Sequence, residues 1–177
     1  IYLRDPSRGN ELWERIMEAG KPHSIRPIAP CEARKIEAGI LNHGQSMTIA
    51  NNPYEIMGFE RLVEDQSADY IGKQALAEIK QEGVKKRMVG IKVALERTAL
   101  WMEDTWPVYK DGKQIGKITD LAWSPRLEQN IGYVWVQTAY SSPGIELEIH
   151  SIDGKLKGVT SEIPFIDPRK KTPSVKL

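Results

Sequence analysis

The apolar positions in the first part of the chain recur at helical spacing. One stripe lies between a capping residue at Ser7 and a stop at Gly20, and its members are Leu12, Trp13, Ile16 and Met17. A second helix is expected to start near Pro30, where the missing N–H is not needed, and to end by Gly44. Its apolar stripe is Ala33, Ile36 and Ile40. Both segments therefore predict amphipathic helices.

The same reasoning predicts a third helix and a short strand. The helix is capped by Asp69 and ends at Gly83, with an apolar face formed by Ala75, Leu76 and Ile79. Residues 1–3 combine β-branched and aromatic side chains and predict a strand fragment. A strand at that position also suggests a chain excised from a longer protein.

The hydrophobic period changes to two in the second half of the chain. Asp111-Gly112 and Asp153-Gly154 are dipeptides that two-residue hairpin turns favour. Short strands are predicted at residues 87–93, 107–109, 114–119, 131–138, 145–150 and 155–160. Such spacing is typical of a small barrel or a sandwich, so the fold class is α+β. The change of period predicts two domains, residues 1–83 and residues 84–177.

Composition narrows the class of protein without assigning a function. The 177 residues include 25 Lys and Arg against 24 Asp and Glu, a net charge of +1. This balance disfavours a general nucleic-acid coat or a membrane-surface protein, and no apolar run reaches membrane-spanning length. The single Cys31 cannot form an intrachain disulfide, which fits a reducing, cytoplasmic location.

Common catalytic and metal-binding patterns are missing from the sequence. None of its histidines has a second His or Cys at metal-ligand spacing, so no metal site is predicted. His43 is expected to favour the C-terminal end of the second helix. Neither a Gly-x-Ser-x-Gly elbow nor a phosphate-binding loop is present. Cys31 is interpreted as a packed thiol rather than a nucleophile, and its replacement by Ala is expected to cost about 1 kcal/mol.

A set of aromatic and charged residues remains. Tyr54, Glu55, Phe59, Glu60 and Arg61 follow an Asn-Asn-Pro loop, and the second half contains Trp101, Trp106, Trp123, Arg126 and Trp135. Most of these aromatic side chains are expected in the core. The same residue types also suit a flat heterocyclic ligand held between aromatic planes and fixed by a carboxylate. Arginine holds a ligand carboxylate in a bidentate manner.

Short motifs in order resemble the latter part of the glycine-cleavage T-protein family. They are Lys35-Ile36-Glu37-Ala38-Gly39-Ile40, Asn52-Pro53-Tyr54-Glu55 with Gly58, Ile71-Gly72-Lys73, Val89-Gly90-Ile91, Gly116-Lys117-Ile118-Thr119, Ser124-Pro125-Arg126-Leu127, Tyr133-Val134, Pro143-Gly144 and Ile163-Pro164-Phe165. Residues 55–61 and 167–170 look closest to the folate-dependent demethylases of that family, such as dimethylsulfoniopropionate demethylase. Cys31 stands where the aminomethyltransferases carry an arginine, which also favours another methyl donor.

The resemblance implies a fold and a function. The fold would be a helical and mixed segment of a folate-binding domain, followed by a small antiparallel β-barrel. The function would be tetrahydrofolate-dependent transfer of a methyl or aminomethyl-derived carbon from a small-molecule donor. Folate would contact Tyr54, Glu55, Phe59, Glu60, Trp123 and Arg126, and Lys170 could reach its glutamate tail.

The resemblance also implies that part of the enzyme lies elsewhere. In the family the carboxylate that acts on the substrate belongs to an N-terminal half, which is then this chain's expected partner. No catalytic residue is assigned here, so the chain alone is expected to be inactive. The alternative is a non-catalytic folate-binding or assembly module of a larger complex.

Overall fold

The computed structural model describes residues 1–64, 66–97, 102, 104–152 and 154–168. Trp101, the Asp153 position of the second predicted turn and Lys170 lie outside the described residues. The chain divides into two compact units, Ile1–Cys31 and Glu32–Leu177.

The first unit is built around helix α1, Gly9–Gly20. Its predicted apolar stripe is present, but Ser7 does not cap it. Ser7 lies in a preceding 3-10 turn, Pro6–Arg8, where its N–H and hydroxyl donate to Asp5 Oδ1 at 3.0 and 2.7 Å. The hydroxyl thus serves this earlier turn, so the predicted cap is wrong. The strand predicted at residues 1–3 is also wrong, because no described strand pairs with that segment.

The second unit begins with helix α2, Glu32–Glu37, which is shorter than predicted. Gly39 takes a φ of +69°, and Ile40 N–H donates to Lys35 O at 3.0 Å, a C-terminal cap that stops the helix. Ile40 therefore lies past the end of the helix and is 58% exposed, whereas the sequence placed it on the buried stripe. His43 lies beyond this cap as well, in an isolated bridge with Met47, and it does not cap the helix.

Helix α3, Lys73–Glu82, ends at Gly83 as predicted. Its start differs from the prediction, because Gly72 with a φ of +91° occupies the N-cap position and no side chain caps the helix. Asp69 is therefore not the cap. None of the described helices is both long and apolar enough to cross a membrane.

Six antiparallel strands close into a barrel. They are β1 Lys86–Ala94, β2 Trp106–Lys110, β3 Lys113–Ser124, β4 Gln129–Gln137, β5 Glu146–Ser151 and β6 Gly154–Ser161. Their order around the barrel is β1-β4-β3-β2-β5-β6, and β6 pairs with β1 to complete the closure. The predicted hairpin turn between β2 and β3 has positive φ angles at Asp111 and Gly112, +50° and +74°. The α+β class with a small antiparallel barrel is confirmed.

Apolar side chains pack on both sides of the barrel wall. The interior is filled by residues that include Val89, Ile91, Val93, Ile118, Val134, Val136 and Ile149. An outer cluster is formed by Ile36, Ile56, Met88, Ile131, Tyr133 and Trp135. Strand β4 contributes alternate residues to both clusters, which explains why its sequence is apolar almost throughout. The outer cluster fixes α2 and the turn near Ile56 against β1 and β4.

The barrel begins at Lys86, close to the boundary that the change of hydrophobic period indicates. The contacts within the chain divide it after residue 31, into residues 1–31 and residues 32–177. Helix α2 belongs to the second of these units, because it packs on β3 and β4. The division into folding domains at residue 83 stays a prediction.

Candidate ligand-binding site

Buried polar contacts fix the position of α2 on the barrel. Asp120 of β3 is fully buried, and its Oδ1 lies 2.8 Å from Lys35 Nζ and accepts from Ser46 Oγ at 2.9 Å. The Tyr133 hydroxyl donates to Ile40 O at 3.0 Å. Burial raises the pKa of Tyr133 well above its ordinary range, and the nearby carboxylates of Asp120 and Glu32 raise that pKa further. Tyr133 therefore acts as a neutral hydrogen-bond donor at any ordinary pH.

Glu37, the last residue of α2, joins three parts of the second unit. Its side chain is buried, and Oε1 accepts from Ser124 Oγ at 2.6 Å. Arg126 Nη1 lies 3.8 Å from the other carboxylate oxygen. The main-chain oxygen of Glu37 accepts from Ile166 N–H at 3.1 Å. The end of α2, the β3–β4 turn and the segment after β6 are thus held together.

A cavity of about 390 Å³ lies beside this junction, and we call it the α2 cavity. Its lining residues include Gly39, Met57, Phe59, Arg61, Ile163 and Pro168. Arg61 donates from Nε to Gly58 O at 2.9 Å, which fixes the guanidinium group against the turn. The lining combines apolar side chains, a comparable area of polar surface and one cation, a combination suited to a ligand with a ring system, polar edges and an anionic group.

Of the predicted site residues, Phe59 and Glu60 lie at or next to the α2 cavity, whereas Trp123 and Arg126 lie at the end of β3 and in the turn after it. Phe59 lines the α2 cavity and packs against the outer cluster. Next to it, Glu60 has a buried Oε2 with no hydrogen-bond partner among the described residues. Trp123 is half-buried near the end of β3, and Arg126 is exposed in the turn that follows. Glu60, Trp123 and Arg126 are not lining residues of the α2 cavity, and the nearest contact of Arg126 to that region is its 3.8 Å approach to Glu37.

Tyr54 and Glu55 have contacts within their own turn. The turn Pro53–Glu55 is closed by a capping box, in which Tyr54 N–H donates to Asn52 Oδ1 at 3.0 Å. The buried carboxylate of Glu55 accepts from Asn52 N–H at 3.3 Å and from Asn51 Nδ2 at 3.2 Å. Lys86 Nζ lies 3.9 Å from the same oxygen. These contacts give Glu55 a structural role, and neither residue lines the α2 cavity.

One residue of the site, Glu37, was not among those predicted to contact a ligand, and it organises the edge of the α2 cavity. Arg61, which lines that cavity, belongs to the predicted cluster of residues 54–61. A signal for Glu37 was present in the sequence, since it lies four residues after Ala33 and so on the same buried helix face, where a carboxylate needs partners. Its partner Ser124 is distant in sequence, so local pattern alone could not identify the pair.

Cys31 is exposed, which corrects its interpretation as a packed thiol. It ends the first unit, upstream of the buried face of α2 that begins at Ala33. Among the described residues, no group of three or more His, Cys, Asp or Glu side chains is arranged to hold a metal ion.

Comparison with known proteins identifies the class of the barrel. Residues 86–167 match the family model of the glycine cleavage T-protein C-terminal barrel domain. The chain is 30% identical over 154 residues to dimethylsulfoniopropionate demethylase from Ruegeria pomeroyi, covering 87% of this chain and 41% of that protein. It is 34% identical over 175 residues to an aminomethyltransferase from Clostridium botulinum, covering 97% of this chain and 46% of that protein.

A solved structure supports the same fold. The crystal structure of the glycine cleavage system aminomethyltransferase T from Bartonella henselae has a TM-score of 0.63 to this chain at 19% identity, covering 77% of this chain and 38% of that one. The chain spans less than half the length of the curated relatives above. Residues 86–167 therefore form a C-terminal barrel domain of the glycine-cleavage T-protein family, as the motifs in that part of the sequence indicate.

Proposed function

We propose that this chain is the C-terminal part of a tetrahydrofolate-dependent one-carbon transferase. The observation that carries the proposal is the similarity, over most of the chain, to proteins named aminomethyltransferase and dimethylsulfoniopropionate demethylase. The small-molecule donor would give up a methyl or aminomethyl-derived carbon as its bond to sulfur or nitrogen breaks. Tetrahydrofolate, when bound, supplies the nitrogen that accepts this carbon.

The residues around the α2 cavity fit a folate. Phe59 offers an aromatic surface in the cavity wall, and Arg61 supplies a cation. Arg126, whose Nη1 lies 3.8 Å from Glu37 Oε2, offers a second cation for a glutamate tail. Glu60 has an unpaired buried carboxylate oxygen that suits an amino group of a heterocycle. Trp123, Tyr54 and Glu55 complete the proposed set, with Tyr54 and Glu55 acting by shaping the turn before Phe59.

The chemical step needs little from these residues beyond position. Holding a donor and an acceptor in reactive geometry removes much of the barrier to a bimolecular transfer. The proposed contacts orient a ligand and contain no nucleophile paired with a base. We therefore propose that the residues acting on the donor belong to the part of the relatives that this chain does not span. That part would be supplied in the same polypeptide or by a partner chain in the cytoplasm.

A second candidate is a non-catalytic folate-binding or assembly module. It is favoured by the contacts of the described site residues, which position a ligand and pair no nucleophile with a base. The two candidates differ in turnover, because a module binds folate without consuming a donor in any complex that it forms.

Calorimetric titration of the chain with tetrahydrofolate tests the proposed site. Loss of one charge-assisted contact weakens binding by about tenfold or more, which we expect for Arg126→Met. Loss of the aromatic surface in the cavity wall should weaken binding to a similar extent, about tenfold, in Phe59→Ala. Arg15→Met is the matched control, since Arg15 is an exposed arginine of α1 in the first unit. Equal affinities for Arg126→Met, Phe59→Ala and the unmodified chain would refute the proposed contacts.

A further inference from the structure

A second cavity, of about 360 Å³, lies on the outside of the barrel, between residues 45–51 and strands β1, β3 and β4. It shares no lining residue with the α2 cavity. Its volume falls within the range of small-molecule sites. We call it the β3 cavity, because Thr119 and Lys117 of that strand form part of its wall.

An unpaired hydroxyl group belongs to this wall. Thr119 is 6% exposed, and its Oγ1 has no hydrogen-bond partner among the described residues. The register of β3 against β4 shifts between Ile118 and Asp120, so Thr119 is the extra residue of a β-bulge. A buried hydroxyl without a partner is unfavourable, and bulges recur next to binding sites, where they redirect a side chain. Both features point to a polar ligand atom as the partner of Thr119.

The charged residues of the lining indicate the sign of the charge on that ligand. Lys86 and Lys117 line the cavity, and no Asp or Glu does so. Lys86 Nζ lies 5.2 Å from the centroid of the Trp135 ring and 3.9 Å from Glu55 Oε2, so the Glu55 carboxylate offsets part of its charge. Lys117 adds a second positive charge to the wall, so the lining carries a positive charge in excess and an anionic group is the complementary ligand.

The rest of the lining is apolar enough to hold a hydrophobic body. Trp135 and Met47 are both lining residues, and Trp135 N–H is already engaged, donating from Nε1 to Ser46 O at 2.9 Å. The indole thus presents apolar surface rather than a donor to the cavity.

We infer that the β3 cavity binds a small amphiphilic carboxylate, an anionic group attached to an apolar or aromatic body. The carboxylate accepts hydrogen bonds from the Thr119 hydroxyl and the lysine ammonium groups, while the body packs against Trp135. This inference concerns a site separate from the proposed folate site and does not rest on the proposed function.

Nuclear magnetic resonance titration of the chain with benzoate tests the inference, with the Trp135 indole N–H as the reporter. We expect saturable shifts, and about tenfold weaker binding in Lys117→Met and in Thr119→Val, which keeps the side-chain shape without the hydroxyl. Thr119→Ser retains the hydroxyl and should bind as the unmodified chain does. Lys113→Met is the matched control, because Lys113 lies on the same strand outside the cavity lining.

Two further ligands test whether binding needs both the aromatic body and the negative charge. Benzyl alcohol has the aromatic body without the charge, and inorganic phosphate has charge without the body, so both should bind more weakly than benzoate. The inference is overturned if either binds as tightly as benzoate, or if Lys113→Met weakens binding as much as Lys117→Met. It is equally overturned if no saturable shift occurs or if Thr119→Val binds benzoate normally.

Discussion

The buried phenol of Tyr133 makes the stability of the folded protein depend on pH. It lies on β4, is fully buried, and donates its hydroxyl to the chain just after α2. In the unfolded chain the phenol ionises near its ordinary pKa of 10.0, whereas burial keeps it protonated in the folded protein. The folded state then binds the proton more tightly, so stability falls as the pH rises above about 10.

Replacement of Tyr133 by Phe separates these effects. At neutral pH we expect the free energy of unfolding to fall by about 1 kcal/mol, the net value of the hydrogen bond. Above pH 10 this difference should shrink, because only the unmodified chain then loses stability through ionisation of this phenol. Urea unfolding of both proteins between pH 7 and pH 11 measures the difference. A difference that grows with pH would contradict the assigned burial.

The exposure of Cys31 reverses the expectation that the sequence alone suggested for the stability of Cys31→Ala. Since its side chain is exposed, Cys31→Ala should change the free energy of unfolding by less than about 0.5 kcal/mol. Thermal unfolding of the two proteins under reducing conditions checks this value. A loss near 1 kcal/mol or more would restore the interpretation as a packed thiol.

The strands were more predictable than the helices for a physical reason. Alternation and turn dipeptides are local features, and all six strands lie close to their predicted positions. The end of α2 depends on the cap at Gly39, and the burial of Glu37 depends on Ser124. The α2 cavity likewise combines distant segments, such as Phe59 and Ile163, so the sequence pattern indicated Phe59 without showing what it faces.

Substitution of Gly116 by Ala tests how closely β3 approaches β4. A Cβ atom at this position would lie 1.8 Å from Trp135 O, and backbone cannot easily move inside a closed barrel. We expect Gly116→Ala to destabilise the protein by more than about 3 kcal/mol. Gly9→Ala is the matched control, since no atom lies within 4 Å of its Cβ position and it begins α1. Equal denaturation midpoints for the two variants would contradict the strand register.

The buried interior of the barrel is formed by residues of the strands, without a contribution from the described helices. Residues 84–168 alone should therefore fold cooperatively with a β-type circular dichroism spectrum. Without α2, however, Met88, Tyr133 and Trp135 lose their cover, so we expect increased binding of a hydrophobic dye and lower stability than in residues 1–168. An unfolded fragment would show that the barrel needs the preceding segment.

The most direct measurement follows a labelled methyl or aminomethyl carbon from donor to tetrahydrofolate. Glycine-cleavage, sulfonium and methylamine donors are compared, using the chain alone and a preparation that includes the remaining part found in its relatives. We predict labelled folate from one donor class, and only in the second preparation. Labelled folate from residues 1–177 alone would contradict the placement of catalysis outside this chain. Absence of both folate binding and labelled product in the second preparation would contradict the proposed function itself.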